Sequence, residues 1–146
     1  MKTYAPKPTD ITRAWYILDA SEITLGRLAS ETAKLLIGKA KPSFSPHLDA
    51  GDYVVIINAA SLRVTGNKPQ AKIYYRHSGY PGNLHQKRLA ELPADQVIKQ
   101  AVRGMLPVNK LRAGRLARLK IYLDEAHQHA AQSPTKLSLG QKNGSK

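Results

Sequence analysis

The strongest constraint on the fold is an unbroken apolar run near the middle of the chain, Tyr53-Val54-Val55-Ile56-Ile57. A strand with one solvated face alternates apolar and polar residues, whereas a strand covered on both faces is apolar throughout. The run is also far shorter than the ~20 residues that a membrane-spanning helix needs. It therefore predicts a buried strand within a parallel sheet.

Two segments before this run supply neighbours for the strand. Trp15–Asp19 is a short apolar and aromatic stretch bounded by polar residues, which is typical of a strand. Leu25–Ile37 predicts an amphipathic helix, because its apolar residues fall on one helical face. We expect Thr24 to be the N-cap of this helix and Gly38 to end it.

The second half of the chain repeats this alternation. Residues 62–65 predict a short strand, and residues 93–105 predict a helix with a clear apolar stripe. Residues 109–119 predict a short or broken helix, and residues 119–123 a last strand. Strands separated by helices imply βαβ units. We therefore expect an α/β fold with three layers, α/β/α, around a mostly parallel, Rossmann-like central sheet.

The length of 146 residues suits a single domain. We expect residues 1–13 to form an N-terminal arm and residues 132–146 a flexible C-terminal tail. The tail is rich in Gln, Ser, Lys and Gly, so we expect a partner to order it. The chain has no cysteine and no apolar N-terminal segment of the signal-peptide kind. Both observations favour a cytoplasmic protein.

The charge indicates a polyanionic partner. The chain has 23 Lys and Arg against 10 Asp and Glu, which gives a net charge of +13. Thirteen of the basic residues lie between Arg63 and Lys120, where the only acids are Glu91 and Asp95. Neutralising phosphates with such residues releases counterions and so favours nucleic-acid binding. An anionic membrane is the alternative, but it calls for a basic amphipathic helix or a lipid anchor, and neither is evident.

A basic, aromatic segment at residues 72–88 is the most informative stretch for function. It contains three tyrosines, two histidines and four Lys or Arg residues, with no acid. Pro81 and Gly82 predict a type II turn, because proline fixes φ at its first central position and glycine accepts positive φ at its second. Cations suit phosphates and tyrosine rings suit unstacked bases, so RNA is favoured over DNA. A solvated loop with its tyrosines packed on the core is the alternative interpretation.

Catalytic and cofactor motifs are not apparent. The connection at residues 20–26 has one glycine, whereas a dinucleotide-binding loop needs several. His127 and His129 would supply only two ligands, whereas a zinc site needs at least three protein ligands. His77-Ser78 lies in a basic turn and not on a nucleophile elbow. An enzyme therefore stays possible but has no support from motifs, and we expect no cofactor, no metal and no small-molecule substrate.

Seven short segments occur together in a fixed order. They are Leu25-Gly26-Arg27-Leu28-Ala29, Pro46-His47-Leu48-Asp49-Ala50-Gly51-Asp52, Ile57-Asn58-Ala59, Val64-Thr65-Gly66-Asn67-Lys68, Tyr75-Arg76-His77-Ser78-Gly79-Tyr80-Pro81-Gly82, Gly104-Met105-Leu106-Pro107 and Leu119-Lys120-Ile121-Tyr122. With them the chain resembles the bacterial form of the universal large-subunit ribosomal protein thirteen family over residues 15–134. It departs from the family pattern at Gly82-Asn83, at residues 123–126 and at His127-Gln128-His129.

The resemblance implies a structural constituent of the large ribosomal subunit that binds 23S ribosomal RNA early in assembly. It also implies contacts with neighbouring ribosomal proteins and no catalytic role. Residues 77–82 and 110–118 fall where the family touches RNA. Together with the basic residues above, the expected RNA-binding set is Lys39, Lys41, His47, Lys68, Lys72, Arg76, His77, Ser78, Tyr80, Lys87, Arg88, Lys110, Arg112, Arg115, Arg118 and Lys120.

Two other classes of function stay open at this point. A nucleotide-dependent enzyme could use the same doubly wound architecture, and it would be stabilised by a small ligand. A duplex-DNA binder could have the same charge, and it would prefer duplex DNA to structured RNA at equal salt.

Overall fold

The computed structural model describes residues 5–139. The strands in this part of the chain are β1 (Trp15–Asp19), β2 (Tyr53–Ile57), β3 (Ile73–His77), β4 (Leu84–Arg88), β5 (Leu119–Ile121) and β6 (Thr135–Lys136). The helices are α1 (Leu25–Ile37), α2 (Lys68–Ala71), α3 (Ala94–Met105) and α4 (Leu111–Ala117).

The central sheet has the strand order β5-β2-β1-β6, and every neighbouring pair is parallel. Strand β2 lies inside it, with Val54, Val55 and Ile56 fully buried. Its apolar sequence follows from this position, because both faces and both edges are covered. The predicted α/β class with a mostly parallel central sheet flanked by helices is confirmed.

The hydrophobic core joins one face of the sheet to α1 and α3. Leu18, Val54 and Ile56 point to this face and cluster with Leu28 of α1 and Ile98 of α3. Side chains alternate along a strand, so Trp15 and Tyr53 lie on the opposite face. Their rings stack with centroids 4.3 Å apart. The connection from β5 to β6 reaches this face, where the His129 ring lies 5.0 Å from Trp15.

The bounds of α1 agree with the sequence prediction. Gly38 ends the helix with φ of 80°, and its N–H donates to the carbonyl oxygens of Lys34 and Leu35. Glycine suits this left-handed position because it has no Cβ. Thr24 is the N-cap by position, although its side chain makes no capping hydrogen bond.

The predicted strand at residues 62–65 is wrong. Only an isolated bridge joins Arg63 to Thr24, with the Leu25 N–H donating to the Arg63 carbonyl oxygen at 3.0 Å. Gly66 turns the chain away at once with φ of 70°, so no ladder can extend. The β-branched residues therefore reflect local packing, with Val64 resting against the core.

The expectation of a C-terminal tail ordered only by a partner is wrong for its first part. Thr135–Lys136 forms β6 against β1, and the Leu137 N–H donates to the Ile17 carbonyl oxygen at 2.9 Å. Leu137 and Leu139 pack against the core. Two leucines among polar residues are too weak a pattern to predict this strand. The rest of the tail, residues 140–146, lies outside the described residues.

Candidate nucleic-acid interface

The basic, aromatic segment forms a β-hairpin that stands apart from the central sheet. Strands β3 and β4 pair antiparallel, with Ile73 opposite Arg88 and His77 opposite Leu84. The predicted turn is present: the Asn83 N–H donates to the Tyr80 carbonyl oxygen at 3.3 Å, and Gly82 has φ of 77°. The second strand of this hairpin was not predicted, because its sequence is almost entirely polar and basic.

The hairpin is anchored at its base and exposed beyond it. The Leu89 N–H donates to the Lys72 carbonyl oxygen at 2.9 Å, and Tyr74 packs against the core. Every residue from 75 to 88 is exposed. An isolated two-stranded hairpin is marginal in water. The contacts at its base therefore hold this one on the domain.

The two faces of the hairpin differ. Tyr74 and Arg76 share one face with Lys87 and His85, while Tyr75 lies on the other. Tyr75 is 63% exposed and Tyr80, in the loop, is 73% exposed. Their rings are thus free for stacking. The alternative interpretation, tyrosines packed on the core, holds for Tyr74 alone.

The structure sorts the predicted binding residues into three groups by exposure. Those exposed to solvent are Lys39, His47, Lys68, Lys72, Arg76, His77, Ser78, Tyr80, Lys87, Arg88 and Lys110. Those partly buried are Lys41, Arg112 and Lys120. Arg115 and Arg118 are buried, with 1% and 8% of their surface accessible.

Arg118 is committed to an internal ion pair. Its Nη1 and Nη2 atoms donate to the two carboxylate oxygens of Asp49, each at 2.6 Å, and Nη2 also donates to the Leu36 carbonyl oxygen at 3.2 Å. The Nε atom of Arg115 lies 3.5 Å from the same carboxylate. Arg115 and Arg118, which belong to the expected RNA-binding set, are therefore buried and paired inside the protein and are not exposed like the cations of the hairpin.

Lys41 is also occupied inside the protein. Its Nζ atom donates to Asp52 Oδ1 at 2.6 Å, to the Thr12 carbonyl oxygen at 2.8 Å and to the Ala50 carbonyl oxygen at 3.0 Å. All three ammonium protons thus have acceptors. Lys41 thus fixes the loop before β2, and its contact with RNA stays a prediction.

The expected RNA-binding set leaves out two exposed cations of α3. Lys99 and Arg103 lie four residues apart on α3 and are exposed, so they share a face of the helix. Val97, Ile98 and Val102 form its buried stripe. The signal was present in the sequence, since both cations fall outside that stripe.

Burial of Asp49 opposes its ionisation, but the hydrogen bonds and charge of Arg118 outweigh it and lower the pKa of this carboxyl. The nearby Arg13 and Arg115 add to this effect. The proton affinity of Asp49 is therefore lower in the folded than in the unfolded state. Its stabilising contribution is complete above the unfolded pKa of about 3.9 and is lost as pH falls through the folded value.

We therefore expect a pH-dependent difference between the wild type and Asp49→Asn. As the pH is lowered from about 4 downward, the unfolding free energy of the wild type should fall more steeply, because the amide in the variant cannot titrate. Urea titrations at a series of pH values measure this. Parallel profiles for the two proteins would contradict the internal role of the carboxylate.

The described residues define a class of protein. They form a basic α/β domain that presents a cationic, aromatic hairpin. Within residues 5–139, no group of three or more His, Cys, Asp or Glu residues could hold a metal ion. None of the helices in that range is long and apolar enough to cross a membrane. Such a domain is typical of structural nucleic-acid-binding proteins.

Comparisons with known proteins identify the family. Residues 13–128 match the family described as Ribosomal protein L13. The chain is 51% identical over 142 residues to the large ribosomal subunit protein uL13 of Chromohalobacter salexigens, covering 95% of this chain and all of that protein. It is 52% identical over 137 residues to uL13 of Kocuria rhizophila, covering 92% and 93% of the two chains. The chain belongs to the ribosomal protein L13 family.

Family membership confirms the resemblance seen in the sequence. The family is structural and not enzymatic, so the prediction that the chain is no enzyme is also confirmed. As a member, the chain is a structural component of the large subunit of the cytoplasmic ribosome. The nucleotide-dependent enzyme is thereby set aside.

Proposed function

We propose that the chain binds 23S ribosomal RNA through its hairpin and stabilises the fold of that RNA early in large-subunit assembly. The observation that carries the proposal is the exposed hairpin, which concentrates cations and tyrosines without a carboxylate. The residues that form this hairpin surface are Lys72, Arg76, His77, Ser78, Tyr80, Lys87 and Arg88. No ion pair within residues 5–139 occupies any of their charges.

The hairpin surface suits RNA better than duplex DNA. Sequence-specific RNA recognition uses unstacked bases, which stack on aromatic side chains while cations bind the phosphates. Tyr75 and Tyr80 are exposed on the same hairpin that carries Arg76 and Lys87. A two-stranded ribbon can also enter the major groove of duplex DNA, but the bases of a duplex stay stacked and leave the faces of Tyr75 and Tyr80 without a partner. The exposed tyrosines therefore favour RNA over duplex DNA.

Other exposed cations extend the proposed interface beyond the hairpin. Lys39 and His47 lie in the loop before β2, Lys68 begins α2, and Lys110 precedes α4. The half-buried Arg112 and Lys120 offer part of their surface. Arg115 and Arg118 act on this interface indirectly, because their ion pairs with Asp49 hold the loop and α4 together.

Contacts with neighbouring large-subunit proteins belong to the same proposal. Several large apolar side chains are exposed, among them Leu84, Val108 and Leu123. Single exposed apolar side chains are common on protein surfaces, so the proposal of protein neighbours rests mainly on family membership. In an assembled particle these side chains would be covered.

The proposed function is tested by a salt titration of binding to 23S ribosomal RNA fragments, with duplex DNA and transfer RNA as competitors. We expect one fragment to be preferred, and we expect the logarithm of the binding constant to fall steeply with the logarithm of the salt concentration. For the double variant Arg76→Ala/Lys87→Ala, the slope should shrink by about 1.4–1.8, because two phosphate contacts are lost. Arg115 is unsuitable for this test, since its removal would disturb the core.

A matched control separates this effect from a general loss of charge. Lys34 is exposed on α1, where it pairs with Glu31 at 2.7 Å. Lys34→Ala should leave the affinity and the slope close to those of the wild type. Binding without any preference among polyanions, or an unchanged slope in the double variant, would contradict the proposal.

A further inference from the structure

A cavity of about 410 Å³ lies at the base of the hairpin, between the start of α1, α2 and the end of α3. Its lining includes Gly26, Lys68, Lys72, Leu89, Gly104 and Met105. Lys72 immediately precedes β3 and Leu89 immediately follows β4. The cavity is therefore continuous with the hairpin surface.

One side of the cavity is cationic. Lys68 and Lys72 are four residues apart and both exposed, and the Lys72 N–H donates to the Lys68 carbonyl oxygen at 2.9 Å. Neither ammonium group has an ion-pair partner within residues 5–139. The Lys72 Nζ atom lies 5.3 Å from the centroid of the Tyr74 ring. These two ammonium groups can donate hydrogen bonds to the oxygens of a phosphate.

The other side is apolar and open. Leu89 is buried, and Met105 is exposed at the end of α3. The Ser30 hydroxyl donates a hydrogen bond to the Met105 sulfur at 3.5 Å. A Cβ added at Gly26 or Gly104 would meet no atom within 4 Å. The two glycines thus leave room for a flat group to enter.

We propose that this cavity takes one nucleotide of the bound RNA, with its phosphate at Lys68 and Lys72 and its base against Met105 and Leu89. This proposal rests on the proposed function. The volume lies within the roughly 300–1,000 Å³ of ligand pockets. RNA-binding proteins read bases that are splayed out of the strand. Two unneutralised cations at one end favour a nucleotide over an apolar side chain of a neighbouring protein.

Filling the cavity tests the proposal. In Gly104→Phe the new ring should occupy the space where the base would lie, because the position is open. Exclusion of one base from its apolar contacts should weaken binding to the preferred 23S fragment about 10-fold or more. Loss of its phosphate contact should reduce the salt slope by about 0.7. Gly104→Ala is the matched control and should bind as the wild type does.

A second measurement follows the cavity without the large RNA. The Met105 methyl signal is recorded by NMR while uridine 5′-monophosphate, uridine or inorganic phosphate is added. We expect the largest shift with the monophosphate, and no such shift in Gly104→Phe. An equal shift with phosphate alone would overturn the assignment of a base to the cavity.

The outcomes separate this proposal from the proposed function. If the wild type binds the fragment and folded Gly104→Phe binds it equally well, the nucleotide site is overturned while RNA binding stands. That result would leave the cavity to a neighbouring protein. If the wild type fails to bind ribosomal RNA, the proposed function falls, and the mononucleotide titration still decides the cavity.

Discussion

Replacing Asp49 with alanine should lower the unfolding free energy by about 3–5 kcal/mol. The change would leave Arg118 and Arg115 buried without their shared carboxylate, which now receives both terminal nitrogens of Arg118 at 2.6 Å. An unpaired charge in a buried site is costly because water cannot replace the lost partner. Urea denaturation followed by circular dichroism measures the loss.

The matched control is Glu31→Ala. It also removes a carboxylate, 2.7 Å from Lys34, but that pair lies on the exposed side of α1. Exposed pairs of this kind contribute about 0.3–0.5 kcal/mol. The two variants thus differ chiefly in burial. Equal losses for Asp49→Ala and Glu31→Ala would refute an internal role for the arginines.

Replacing Gly51 with alanine should lower the unfolding free energy by about 3 kcal/mol, the upper part of the range for overpacking. An added Cβ would collide with the Leu36 carbonyl group and would lie 2.9 Å from the Arg118 Nη2 atom. The backbone would have to move here, because the carbonyl belongs to α1 and the guanidinium to the Asp49 ion pair. A thermal or urea unfolding curve measures the change.

Gly26→Ala is the control for Gly51→Ala. Gly26 lies in the first turn of α1, and a Cβ there meets nothing within 4 Å. Alanine in a helix is favoured over glycine by roughly 0.5–1 kcal/mol. The control should therefore be as stable as the wild type or more so. A tolerated Gly51→Ala would mean that the loop before β2 does not press on α1.

Asp49→Ala and Gly51→Ala both change the same joint, by which we mean the contact between the end of α1 and the chain that enters β2. The Asp52 N–H donates to the Leu35 carbonyl oxygen at 3.0 Å, so the chain entering β2 lies directly against the end of α1. Arg118 reaches this joint from the start of β5 and closes it. The loop that carries Lys39 and His47 is held here. Weakening the joint should therefore disturb that part of the proposed interface and spare the hairpin.

Local sequence patterns were sufficient to predict the elements that bury an apolar run or an apolar stripe. The bounds of β1, α1 and β2 agree with the sequence predictions, because an apolar run or stripe reports directly on the covered face. The predicted turn at Pro81-Gly82 is present for a local reason, the positive φ of glycine. The hairpin strand β4 and the short β6 were missed, because pairing partners and not their own apolar residues define them.

By itself the sequence determined the α/β class, the basic surplus and the family of this protein. All three depend on residue order or on totals that folding does not alter. Only the tertiary structure decided which cations face solvent. Arg112 and Arg115 lie three residues apart on α4, yet one is partly exposed and the other is buried. Arg118 meets Asp49 across 69 residues of chain. Ion pairing and burial of this kind depend on which distant segments approach one another, and local spacing does not encode that approach.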